Sequence, residues 1–171
     1  MLREERFRAV IFFAMQGTLL DLSGFQDGRP GVAELPRRRL LRPDSRLFGP
    51  WADVLEPCLQ FRPDRVFHTG ALLPPASESA PCNSFQVNIA GTFNILEAAR
   101  LCGVKQVVYA SSVASYGPDA PLELVPNDFS QHPTGFYGVS KVCSERMGEY
   151  YWRRYGLDFR AIRFPPIFGP G

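Results

Sequence analysis

The 171 residues contain only two histidines and four cysteines, and neither type is clustered. Cys58, Cys82, Cys102 and Cys143 stand at wide, irregular spacings without a CxxC pair or a Cys/His ligand pattern. That excludes the common metal sites, so no metal is expected. Unpaired thiols of this kind suit a reduced, cytoplasmic setting better than a disulfide-stapled one. Lysine is nearly absent: Lys105 and Lys141 are the only two, beside 17 arginines. Net charge is only +2, which gives no basis for a nucleic-acid partner. Long hydrophobic runs are missing as well. The apolar stretch Ala9–Met15 is far too short to span a bilayer, and the charged opening MLREERFR lacks a signal-peptide pattern. No membrane partner is expected.

What is present is an ordinary globular composition, 45% hydrophobic and 21% charged, long enough to bury one sizeable core. Two regions differ in texture. Residues 1–50 form an atypical N-terminal segment rich in Arg, Gly and Pro, with one expected strand in AVIFFAM (9–15) followed by loop. Arg37, Arg38, Arg39, Arg42 and Arg46 crowd its end. From Trp51 to Gly171 the pattern is regular. WADVLEPCLQF (51–61) has helical spacing, and RVFHTGALL (65–73) is an apolar strand running into a glycine turn. SFQVNIAGTFNILEAARLCG (84–103) is a helix stopped by glycine, and QVVYASS (106–112) is a β-branched strand. After a loop with four prolines, residues 134–156 read as a long helix ended by Gly156, and LDFRAIRF (157–164) as a last strand. Alternating helices and apolar strands predict an α/β fold, a doubly wound parallel sheet with helices on both faces. Ligands of such sheets sit beyond the carboxyl ends of the strands.

The chemistry-bearing residues fall at those ends. Tyr137 and Lys141 form a YxxxK pair, which a helix places on one face, one turn apart. A nearby ammonium favours the phenolate, so Tyr137 is expected to exchange a proton closer to neutrality than a free phenol does. Ser111 and Ser112 end a strand, where a hydroxyl can hold a substrate oxygen; turn residues of no chemical role look the same. Asn88 stands at an expected helix start, as a cap or a ligand contact. His68 reads as a packed strand histidine. Glu145 is expected to pair with Lys141 four residues before it. Arg163 reads equally well as a salt-bridge partner and as a contact to an anionic substrate group.

Taken together, VFHTGA (66–71), NIAGT (88–92), YASSVASYG (109–117), YGVSK with Glu145, and RFPPIFGPG (163–171) resemble the extended short-chain dehydrogenases/reductases, the NAD-dependent epimerase/dehydratase family. The resemblance covers about residues 51–171. It implies the central and catalytic part of an NAD(P)-binding Rossmann domain. Ser112, Tyr137 and Lys141 would be the catalytic residues, with Tyr137 as general acid/base. Thr69, Gly70, Ala71, Asn88, Ser111, Tyr137, Lys141 and Pro165 would line the cofactor, NAD or NADP. The implied reaction is hydride transfer on a sugar nucleotide or a small hydroxy or carbonyl compound, in an oxidoreductase, epimerase or dehydratase. The resemblance also implies a homodimer paired through the helix that bears Tyr137.

Two features depart from that pattern. Gly17, Gly24 and Gly28 do not have the GxxGxxG spacing that would bring backbone N–H groups to a pyrophosphate. The chain also ends at Gly171, where the family continues into its substrate-binding part. A second reading therefore stands beside the first: a non-catalytic remnant acting at most as a binding or interaction module. Residues 8–24 faintly resemble the opening strand of haloacid-dehalogenase-like phosphatases. Ala14 and Gln16 replace the two aspartates, so no phosphatase activity is expected and a plain strand with a glycine turn is preferred.

Overall fold

The computed structural model describes residues 10–13, 19–21, 52–121, 123–167 and 169. The Arg37–Arg46 cluster and the Ala14 and Gln16 positions lie outside them.

A five-stranded sheet with the order β2-β1-β3-β4-β5 organises the chain. Its strands are β1 Val10–Phe13, β2 Leu19–Asp21, β3 Arg65–His68, β4 Gln106–Ser112 and β5 Asp158–Phe164. β1, β3, β4 and β5 run parallel. The AVIFFAM stretch therefore does supply a parallel strand, pairing Ile11 with Val66 and Phe13 with His68. One strand followed by loop was expected in the first 50 residues. A second strand is present, since β2 folds back antiparallel on β1 with Phe13 opposite Leu19.

Between the strands lie α1 Ala52–Phe61, α4 Gly91–Cys102 and α5 Phe136–Tyr155, as the spacing predicted. Two short helices, α2 Ala76–Ser79 and α3 Pro81–Ser84, precede α4, and a π-helical stretch Phe85–Ala90 joins α3 to it. α4 and α5 stop at the predicted glycines. Gly103 and Gly156 adopt φ of 70° and 72°, a left-handed conformation that only glycine reaches cheaply. Val104 N–H closes the first of these caps on the Ala99 carbonyl at 2.9 Å.

Burial alternates along β3 and β4, so one sheet face is fully covered. Val66 and Val107 on that face join Val54 and Cys58 of α1, Ile95, Leu96 and Ala99 of α4, and Tyr151 of α5 in a single core. No described helix is long and apolar enough to cross a membrane.

Helix α5 meets the sheet differently. Its inward residues are Gly138, Ser140, Lys141, Ser144, Glu145 and Gly148, all buried. Small and polar side chains let its backbone approach closely. A Cβ on Gly138 would lie 2.3 Å from the Ala114 carbonyl oxygen and 2.6 Å from Pro133 Cβ. Nothing larger than hydrogen fits there, and this fixes how near the first turn of α5 sits to the end of β4.

Candidate functional site

The carboxyl ends of β3, β4 and β5 and the first turn of α5 surround an open cleft of about 620 Å³, with Leu73, Ser112, Tyr137 and Pro165 on its walls. Parallel strands all deliver their last residues to this edge, which is why residues far apart in sequence meet here.

α5 grips the end of β4 at three successive turns. Tyr137 shares the cleft wall with Ser112, whose hydroxyl lowers the phenol pKa against burial. Lys141 Nζ donates to the Ala110 carbonyl at 2.7 Å. The Glu145 carboxylate accepts from Ser111 Oγ. The i, i+4, i+8 spacing places these three side chains on one face of the helix.

Lys141 is 2% exposed, and its ammonium lies 4.6 Å from the Tyr109 ring centre and 5.4 Å from that of Tyr137. Burial lowers its pKa to about 8, against the pull of Glu145. Burial also moves the Tyr137 phenol up, with Ser112 opposing. The expectation that Lys141 brings this phenol towards neutrality does not hold in this structure. The ammonium donates to the Ala110 carbonyl, and desolvation dominates the phenol.

Ser112 accepts a hydrogen bond from the Ala114 N–H at 3.2 Å, capping a 3₁₀ turn Val113–Ser115, and stays half-exposed at the cleft. Ser111 faces the other way and its hydroxyl is engaged by Glu145. Of the β3-end residues, Thr69 is half-buried while Gly70 and Ala71 are buried. Pro165 is exposed beside the cleft.

Asn88 does not begin a helix; it lies within the π-helical stretch, 1% exposed. Its Oδ1 accepts from Leu72 N–H at 2.7 Å, and its Nδ2 donates to Leu72 O, Ser84 Oγ and Ser140 Oγ at 3.1–3.2 Å. It thus clamps the β3 loop onto α5.

Glu145 does not take Lys141 as its partner. Arg163 closes a two-pronged salt bridge on it, with Nε and NH2 at 3.0 and 2.7 Å, and Gln131 Nε2 adds a bond at 2.9 Å. Burial raises the Glu145 carboxyl, but Arg163, Ser111 and Gln131 outweigh it and hold the pKa below the ordinary value. Arg163 also donates to Tyr116 OH at 2.8 Å and to the Asn127 carbonyl at 3.1 Å. Of its two readings, the structure carries the salt bridge.

His68 is packed, as read. Thr92 gives its one hydroxyl proton to the Asn88 carbonyl (2.6 Å), so His68 Nε2 carries the proton that bridges to Thr92 Oγ1 (2.8 Å). Burial and the Lys141 charge lower its pKa to about 3 and keep it neutral.

Sequence reasoning missed Glu78. This α2 carboxylate accepts the backbone N–H of Phe136 and of Tyr137, both at 2.9 Å. Nothing local signals a contact across 58 residues, apart from Gly135, a helix-start residue with no side chain to cap. No group of three or more metal-ligating side chains forms among the described residues.

Comparison with known proteins bears on the family and the fold. The family model described as the NAD dependent epimerase/dehydratase family matches residues 50–171. The pig protein L-threonine 3-dehydrogenase, mitochondrial, is 35% identical over 90% of this chain and 46% of its own length. An uncharacterized epimerase/dehydratase of Staphylococcus saprophyticus is 38% identical over 63% of this chain and 33% of its own. The chain thus spans less than half of these relatives. Among solved structures, UDP-glucose 4-epimerase of Thermus thermophilus in complex with NAD has 32% identity and a TM-score of 0.63, covering 66% of this chain and 37% of that one. A monomeric L-threonine 3-dehydrogenase from a metagenome has 30% identity and a TM-score of 0.64, covering 67% and 37%. With a parallel Rossmann-like sheet and a family match over most of its length, this chain belongs to the NAD dependent epimerase/dehydratase family.

Proposed function

We propose that this chain carries the proton-transfer part of an NAD-dependent oxidoreductase, epimerase or dehydratase acting on a sugar nucleotide or a small hydroxy or carbonyl compound. One observation carries the reading: Tyr137 and Ser112 line the same cleft, and the next turn of the Tyr137 helix holds Lys141.

The residues fit the nicotinamide half of NAD. The cleft lies where parallel sheets bind such groups, and its wall includes the small residues Ser112, Ala114, Gly135 and Gly138. Gly70, Ala71, Ser111, Pro165 and the Lys141 ammonium would border the cofactor, with Asn88 holding the loop in place. When bound, NAD supplies hydride acceptance and donation at the substrate carbon. The chain supplies the proton. Ser112 orients the substrate oxygen towards Tyr137, which gives up or takes the proton at that oxygen. A phenol kept neutral by burial is set as a donor, and a cation in the cleft would favour its deprotonated form in the reverse direction.

A homodimer through α5 belongs to the same reading, supported by the exposed Val139, Tyr150 and Trp152 on that helix. A cytoplasmic location fits its free thiols.

NAD binding tests the proposal. Ligand at 100 times its Kd should stabilise the chain by about 2.7 kcal/mol, seen as a rise in melting temperature. A flat curve up to millimolar NAD would overturn the proposal and favour a non-catalytic module. In turnover assays with UDP-glucose and L-threonine, Tyr137→Phe should lower the rate by about 10²–10⁴-fold.

A further inference from the structure

We propose that Glu78 is a positioning residue for Tyr137: its carboxylate locks the first turn of α5 onto the loop that follows β3, so that order in this loop sets the place and protonation of the phenol. The inference rests on the proton-transfer reading of Tyr137.

The start of α5 has a structural problem that Glu78 solves. The first N–H groups of a helix have no partner within it. Here the cap position is Gly135, which has no side chain to offer. Glu78 reaches in from α2 instead and accepts two of these N–H groups at 2.9 Å each. One belongs to Tyr137 itself, so the contact fixes the backbone of the residue that bears the phenol. Gly135 makes room for it, since a Cβ there would lie 3.2 Å from Glu78 Oε1. The two N–H bonds, that of Tyr137 first, keep the carboxyl ionised below its ordinary pKa.

Glu78 also lines the cleft, and its loop is fastened to α5 a second time. Asn88 binds both backbone groups of Leu72 and reaches Ser140 Oγ, one turn beyond Tyr137. Residues 72 and 78 are thus tied to consecutive turns of the helix. A ligand that orders residues 69–73 would steady Tyr137 through these two ties without touching it.

The grip also sets how water reaches the phenol. The groups facing it are the Ser112 hydroxyl, the Tyr109 phenol from β4 and the Lys141 ammonium on its own helix. Burial is the largest influence on the phenol and holds its pKa up. Glu78→Ala lets water reach a frayed first turn, which relieves that burial and favours ionisation.

The test uses the 171-residue chain with ¹³Cζ-labelled tyrosine, the Tyr137 signal being assigned by its loss in Tyr137→Phe. In Glu78→Ala, amide hydrogen exchange at Phe136 and Tyr137 should accelerate by about tenfold or more while Tyr150 and Tyr151 stay unchanged. The Tyr137 titration midpoint should fall. Glu78→Gln keeps one acceptor oxygen without the charge. It should show a smaller gain in exchange and a smaller fall in the midpoint, and it carries the test if the alanine variant does not fold. Faster exchange with an unmoved Tyr137 midpoint in both variants would leave Glu78 a structural cap and overturn the proposal, as would unchanged exchange. Neither readout needs turnover. Retained turnover in Tyr137→Phe would overturn the proton-transfer reading and leave the titration result standing.

Discussion

Lys141 holds its ammonium 2.7 Å from the carbonyl oxygen of Ala110, on the neighbouring strand. The side chain is therefore fixed by the sheet before any ligand arrives. Its charge is buried at a cost, and the pKa falls from 10.5 to about 8. Between those two values the unfolded chain binds more protons at this site than the folded chain does. Stability contributed by this group thus rises with pH across that window, by roughly 3 kcal/mol in total. Lys141→Met should lack the rise. Urea unfolding of both proteins at pH 7.5 and pH 10 (about two pH units of that window) gives the difference. Equal changes in the two proteins would show that the ammonium is not desolvated.

Gly138 allows the close contact between α5 and the 3₁₀ turn after β4. Gly138→Ala should force the helix away from Ala114 and Pro133, at about 1–3 kcal/mol, and should separate Tyr137 from Ser112. Denaturant unfolding measures the first effect. An unchanged midpoint would mean that the helix moves freely at this point.

Arg163 neutralises Glu145 in the interior. Arg163→Leu should destabilise the chain by about 3–5 kcal/mol, because a desolvated carboxylate loses its counter-charge and keeps only the Ser111 and Gln131 hydrogen bonds. The pH dependence follows from the lowered Glu145 pKa. In the wild-type chain the pair contributes fully above the ordinary glutamate range and is lost as pH falls through the folded pKa. In Arg163→Leu this acid-side loss should vanish, because burial then raises the carboxyl pKa. Unfolding free energies between pH 3 and pH 7, about the span of glutamate titration, decide the matter.

Much of this was written in local sequence. Apolar periodicity placed α1, α4, α5 and every strand but β2, and the glycines at 103 and 156 ended their helices as read. The i, i+4 spacing of Tyr137 and Lys141 was enough to put both on one helix face. What the sequence hid are partners set by tertiary approach. Glu145 reads as a mate for Lys141 only while the helix is considered alone. Once β4 and β5 pack against it, the lysine finds a carbonyl and the glutamate finds Arg163. Asn88 looked like a cap because nothing in its neighbours reveals that the helical run starts seven residues earlier, at Pro81. Glu78 carries no local signal at all. Its role exists only because the loop after β3 folds over the start of α5.

The inward face of α5 is built of glycines, hydroxyls, an ammonium and a carboxylate, where most helices would place leucine. A greasy face would hold more tightly but would tolerate a slide or a small turn about the axis. This face behaves like a key in a lock. Rotating it by one residue would draw Lys141 from Ala110, Glu145 from Arg163 and Ser140 from Asn88, each at a desolvation cost. Grip is exchanged for alignment, and alignment is what the proposed proton transfer at Tyr137 would require.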